Sequence, residues 1–106
     1  MLINLTPHEV TILDEGNKVL KVIKPSGAVA RISTSTKEME PIDGVKITLT
    51  TFDHVNGLPD SEFGTFFIVS QMVKNSPLCI YRKDLLVPSE VVRDNGKILG
   101  CKSLGM

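Results

Sequence analysis

The sequence has no tryptophan, one tyrosine and four phenylalanines, so it lacks the indole and phenol surfaces on which a sugar-binding platform is usually built. It holds only two cysteines, too few for a disulfide scaffold. Cys79 lies between Leu78 and Ile80, and Cys101 follows Leu99-Gly100. Such apolar flanks suit reduced, buried thiols that pack as small hydrophobes, although the spacing alone does not exclude a bond between them. Charge of one sign is also missing. Twelve basic residues balance twelve acidic ones, so there is no bulk field to gather nucleic acid or an anionic membrane. The long apolar runs such as Phe66-Phe67-Ile68-Val69 fall far short of the ~20 residues of a membrane helix, and the opening residues show no basic segment followed by an apolar stretch. The expectation is a soluble protein of the cytoplasm.

Catalytic and metal-binding signatures are equally sparse. No Cys-x2-Cys or His-Glu-x-x-His spacing offers a metal site, no Gly-x-Ser-x-Gly elbow offers a serine nucleophile, and no P-loop is present. Asp53, Asp60 and Glu62 could supply a carboxylate pair, but nothing beside them suggests the sugar site that such a pair would flank. No cofactor or metal is implied.

What the sequence does contain is a succession of short β-prone runs separated by turn residues. At 106 residues, with 42 % hydrophobic and 23 % charged side chains, the chain suits a single domain over 1–106. Leu2–Leu5 opens as a strand. Thr6-Pro7-His8-Glu9 has the pattern of a capped helical turn, with Thr6 as N-cap, Pro7 in the first helical position and Glu9 three residues after the cap. Val10–Leu13 and Lys18–Ile23 flank Asp14-Glu15-Gly16-Asn17 and read as a hairpin. Ala28–Ser33 is a third strand candidate after the break at Pro25-Ser26-Gly27.

Thr34–Pro41 is polar and reads as a mobile loop, whereas Val45, Ile47 and Leu49 alternate with Lys46, Thr48 and Thr50 as in a half-buried antiparallel strand. A loop is expected over Asp53–Gly64. Thr65–Ser70 has the composition of a central strand buried on both faces, and Gln71–Ser76 of a short helix that Pro77 ends. Leu78–Tyr81 reads as strand, Arg82–Pro88 as a connection, and Asp94-Asn95-Gly96 as the turn of a hairpin between Glu90–Arg93 and Lys97–Cys101. The pattern predicts a mainly β fold, a small antiparallel barrel or sandwich-like domain with at most one or two short helices.

Among charged residues the arginines stand out, because Arg31, Arg82 and Arg93 each flank a predicted strand, and guanidinium groups suit bidentate recognition of carboxylate and phosphate. If they converge they form an anion pocket, to which Ser26, the Gly27 amide and Ser70 would add hydrogen bonds. The competing reading pairs each with a nearby acid, Arg82 with Asp84 and Arg93 with Asp94. His8 and His54 are the candidates for acid–base work near neutral pH. Alternation in an extended chain sends Asp53 and His54 to opposite sides.

The segments Asn4-Leu5-Thr6-Pro7-His8, Pro25-Ser26-Gly27-x-Val29-Ala30-Arg31, Gly57-Leu58-Pro59, Ile68-Val69-Ser70 and Val92-Arg93-Asp94-x-Gly96-x-Ile98-x-Gly100-Cys101 together resemble small accessory proteins encoded by tailed phages and prophages. The resemblance runs through most of the chain and carries over no catalytic residue. It implies a product made in the infected bacterium. The leading expectation is a non-enzymatic accessory protein that binds a host protein or a small anionic, nucleotide-like molecule to counter a bacterial defence, through Arg31, Arg93, Ser70 and His8. A small hydrolase or transferase using His8 with Cys101 or Ser70 is the first alternative. A virion or assembly component, recognisable as a stable homo-oligomer, is the second.

Overall fold

The computed structural model describes all 106 residues. Strands β1 (Leu2–Asn4), β2 (Val10–Leu13) and β3 (Val19–Ile23) are followed by two long strands, β4 (Arg31–Ile42) and β5 (Val45–Asn56). Then come β6 (Phe66–Ile68), helix α1 (Gln71–Lys74), a 3₁₀ turn at Pro77–Cys79, β7 (Leu85–Asp94) and β8 (Lys97–Gly105). Six strands make one sheet in the order β1-β6-β7-β8-β2-β3, while β4 and β5 pair only with each other. The outer strands of the six-stranded sheet meet where Asn4 bridges to Pro25 and the Ser26 amide donates to the Asn4 carbonyl at 2.9 Å. The result is a nearly closed, barrel-like sheet with a two-stranded arm, a β-rich fold with little helix as the sequence pattern predicts.

Both turn-marked hairpins form. β2 pairs antiparallel with β3, and the Asp14 carboxylate accepts from the Gly16 and Lys18 amides at 2.9 Å. β7 pairs antiparallel with β8 around Asn95 and Gly96, both at positive φ. Other pairings are parallel: β1 with β6, β6 with β7, and β2 with β8. Parallel neighbours need a crossover connection, not a tight turn. Between β6 and β7 that crossover is α1 and the 3₁₀ turn. This is why Leu78–Tyr81 is not a strand despite its apolar composition, and why the strand starts instead at Leu85, inside the expected connection.

The expected short helix is present as α1, with the Ser70 hydroxyl accepting from the Val73 amide at 3.3 Å. The expected helical turn at Thr6–Glu9 is not. Asn4 captures the polar groups there: its side-chain oxygen accepts from the Thr6 amide at 2.9 Å and the Thr6 hydroxyl at 2.6 Å, leaving an open bend.

Strand β6 is buried on both faces, as its composition predicts. Phe67 and Val69 join Leu5, Ala30, Val73, Cys79, Leu85 and Val87 on one side, and Ile68 joins Val10, Ile23 and Cys101 on the other. The strand expected over Ala28–Ser33 begins only at Arg31, but Ala30 and Ile32 do turn to the core.

The arm is the main departure. Thr34–Pro41 is not a loop but most of β4, where β-branched Thr34 and Thr36 pair with Phe52 and Thr50 of β5. The strand pattern over Val45–Phe52 is real, yet its apolar side is uncovered: Ile42 and Val45 are 61 % and 60 % exposed. Only the arm's root, Ile32 and Val55, packs on the core. No helix is long and apolar enough to cross a membrane.

Candidate functional site

The three arginines do not gather around one concavity. Arg82 donates through Nε and Nη2 to the two Asp84 carboxylate oxygens, each at 2.9 Å, and through Nη2 to the Pro59 carbonyl at 2.9 Å. Its guanidinium is spent on its own chain, which holds the Asp84 carboxyl below the usual carboxylate range chiefly through that hydrogen bond. Arg93 stands exposed near the end of the β7–β8 hairpin without an ion pair, and Asp94 does not take it. Arg31 is exposed at the start of β4 and borders a hollow of about 340 Å³ together with Ser70, Thr6, Pro7 and Met72. Of the expected anion-binding set, only Arg31 and Ser70 therefore come together.

The remaining members have local duties. The Ser26 hydroxyl turns back on Ala28, contacting its carbonyl at 3.3 Å and its amide at 3.4 Å, and Gly27 takes a φ of 100° in that turn. Ser26 and Gly27 serve the turn that brings Pro25 to Asn4. For His8 it is the carbonyl that is engaged, accepting from Asn4 and Thr6, while its ring is exposed.

Neither nucleophile–base pairing is formed. The Cys101 thiol is buried and directed to the Thr11 carbonyl at 3.7 Å, and burial raises its pKa. Cys79 is likewise buried, free and raised by burial. The Ser70 hydroxyl caps α1.

A different hydroxyl–imidazole contact does exist at the arm's root, where Ser33 Oγ lies 3.2 Å from His54 Nε2 and accepts from Asn56 Nδ2 at 3.0 Å. Asp53 points away, as alternation predicts, and accepts from the Ser35 hydroxyl. The imidazole thus has no carboxylate to orient it, and the pair borders none of the hollows. No group of three or more His, Cys, Asp and Glu side chains is assembled for a metal ion.

Two uncovered apolar features were missed by reasoning from motifs. One is the arm's distal face, where alternation and the strand register place Met39, Ile42, Val45, Ile47 and Leu49 on one side, with Lys37 beside Leu49 at its inner end, and Thr36, Glu38, Thr48 and Thr50 on the other. The signal is the Val45–Leu49 alternation, which marks a face as apolar without saying whether this chain or another molecule covers it. The other is a slot of about 230 Å³ on the barrel, lined mainly by Val10, Val91, Ile98 and Leu99 with buried Cys101, and edged by Glu9 and Thr11. Ile98 on its rim is 61 % exposed.

Comparison of the chain with protein-family models, with curated proteins and with solved structures found no match in any of the three.

Proposed function

We propose that this chain is a non-enzymatic assembly module that self-associates through the β4–β5 arm, in the setting of a phage particle or its construction. The observation that carries the reading is the arm's bare apolar face. An isolated two-stranded hairpin is marginally stable in water, and one that also exposes four large apolar side chains on one face, Met39, Ile42, Val45 and Leu49, asks for a cover. The molecule as a whole agrees. Its radius of gyration is 17.0 Å, against roughly 13 Å for a compact domain of this length. Its accessible surface is 7551 Å², about 1,700 Å² more than the roughly 5,800 Å² expected of a monomer of this mass. A formal net charge of zero puts no repulsion in the way of association.

Light scattering on the purified full chain tests this. The expected result is a defined oligomer that Val45→Glu converts to folded monomer; a wild-type chain that is monomeric at every concentration overturns the reading.

A second reading is favoured by one observation, the shared hollow of Arg31 and Ser70. An unpaired guanidinium beside a free hydroxyl proton and an apolar wall suits a small anion with an apolar portion. Thermal-shift titration with inorganic phosphate and with nucleotides checks it: stabilisation that disappears in Arg31→Ala supports it, and no shift with any of them removes it.

A further inference from the structure

We infer that the arm of one copy seats its apolar end in the barrel slot of the next, so that association is head to tail and not arm to arm. The inference rests on the assembly reading above and adds where the arm goes.

The first argument is area. A standard interface takes about 800 Å² from each partner, so a surplus near 1,700 Å² leaves room for two such faces on each chain. Arms covering each other would use one face and leave the slot open. A chain that gives an arm on one side and a slot on the other uses both.

The second is the fit of the two features. The slot is an open apolar depression of about 230 Å³, a size that admits side chains and not a folded element. The arm's end supplies side chains suited to it, since Ile42 and Val45 face each other across the terminal Asp43-Gly44 turn. Within its own chain the arm is held at its root, where Ile32 and Val55 pack on the core and α1 and the 3₁₀ turn lie alongside, while Ile42 and Val45 at the far end stay exposed. Strands of twelve residues reach ~40 Å, so the tip stands free to meet another molecule.

The third is charge. Glu38, Glu40 and Asp43 cluster toward the arm's end beside Lys46 and form no ion pair in the chain, whose ion pairs are Arg82–Asp84 and Lys102–Glu15. Arg93 pairs across the strands with the rim residue Ile98, just past a register shift in β7–β8, so it stands next to the slot without lining it; it too lacks an acid, and the one charged residue in the lining is Glu9. A tip entering the slot brings acids to that guanidinium, which would fix the register of docking.

Repetition of a head-to-tail contact closes a ring or extends a filament. The test uses two variants of the full chain, Val45→Glu in the arm and Ile98→Glu on the slot rim, with circular dichroism to verify folding and light scattering to read size. Each alone is expected to be monomeric. An equal mixture is expected to give heterodimers and nothing larger, because one intact arm and one intact slot remain. Arg93→Asp, at an exposed position that does not endanger folding, is expected to weaken association at least tenfold. Wild-type assembly that survives both Ile98→Glu and Arg93→Asp but is lost in Val45→Glu overturns the slot while leaving arm-mediated assembly standing. A monomeric wild type overturns both.

Discussion

The side-chain amide of Asn4 donates to the main-chain carbonyl of Ile23 at 3.0 Å, and so joins β1 to the end of β3 across the seam of the barrel. The same nitrogen donates to the His8 carbonyl at 2.8 Å, and the oxygen serves the amide and hydroxyl of Thr6. Asn4 is 1 % exposed with its hydrogen-bonding capacity used in full. Removing it takes this donor from the buried Ile23 carbonyl and leaves the Thr6 amide without its acceptor, while the His8 carbonyl keeps the Thr6 hydroxyl.

Asn4→Ala is therefore expected to destabilise the fold by about 3 kcal/mol, since each buried group left unmet costs roughly 1–3 kcal/mol. Urea denaturation reads this as a lowered midpoint. A change under about 0.5 kcal/mol would mean that the seam is held by packing alone.

The Arg82–Asp84 pair makes stability depend on acid. The Asp84 carboxyl is held below its ordinary pKa by the guanidinium. Its contribution is present above the unfolded-state value near 4 and is lost as pH falls through the lower folded value. Between neutral pH and pH 3 the wild type should lose more stability than Asp84→Asn. Equal losses in thermal melts across that range would assign the acid sensitivity to other carboxylates.

Both thiols should be silent toward reagents in the native protein. Burial raises Cys79 and Cys101 above the ordinary thiol pKa, so little thiolate forms near neutrality and access is closed. Alkylation followed by mass spectrometry should show no rapid labelling natively and two labels in denaturant. Fast native labelling of Cys101 would mean that the slot above it opens.

Gly57 has a φ of 76°, and a Cβ there would fall on the Val29 carbonyl oxygen. Gly57→Ala meets both the left-handed backbone penalty of roughly 1–2 kcal/mol and that collision, so a loss of about 2–3 kcal/mol is expected. The lesion lies where β5 leaves the arm and meets the Val29–Ala30 segment. A melting temperature unchanged within a degree would count against this tight approach.

Local chemistry was legible where a few adjacent residues decide the conformation. Asp14–Asn17 and Asp94–Gly96 turn as their residue types demand, and Ser70 caps α1 as a serine before a short helix does. The Thr6 cap failed because Asn4, two residues earlier, engages the Thr6 amide and hydroxyl from inside the barrel, and the hydroxyl does not cap a following turn. Thr34–Pro41 misled for another reason. Its polarity described the solvated face of a strand whose partner lies beyond the next turn.

The site was legible only in part. Arg82 paired with the acid two residues away, a contact that spacing allows one to anticipate, and Arg31 met Ser70 because α1 packs beside β4. Nothing near Arg93 in the sequence could have told that it would stand beside an apolar slot.

The residue order by itself determined the β-rich character, the two tight hairpins, the short capped helix and the doubly buried β6, because turn geometry, branching at Cβ and alternation act over a few neighbours. The tertiary structure alone decided that three strand pairings run parallel, that Asn4 seals the barrel, and that the arm's apolar side finds no cover in its own chain. Those outcomes depend on which distant segments reach one another, and alternation records that a face is apolar without recording what will meet it.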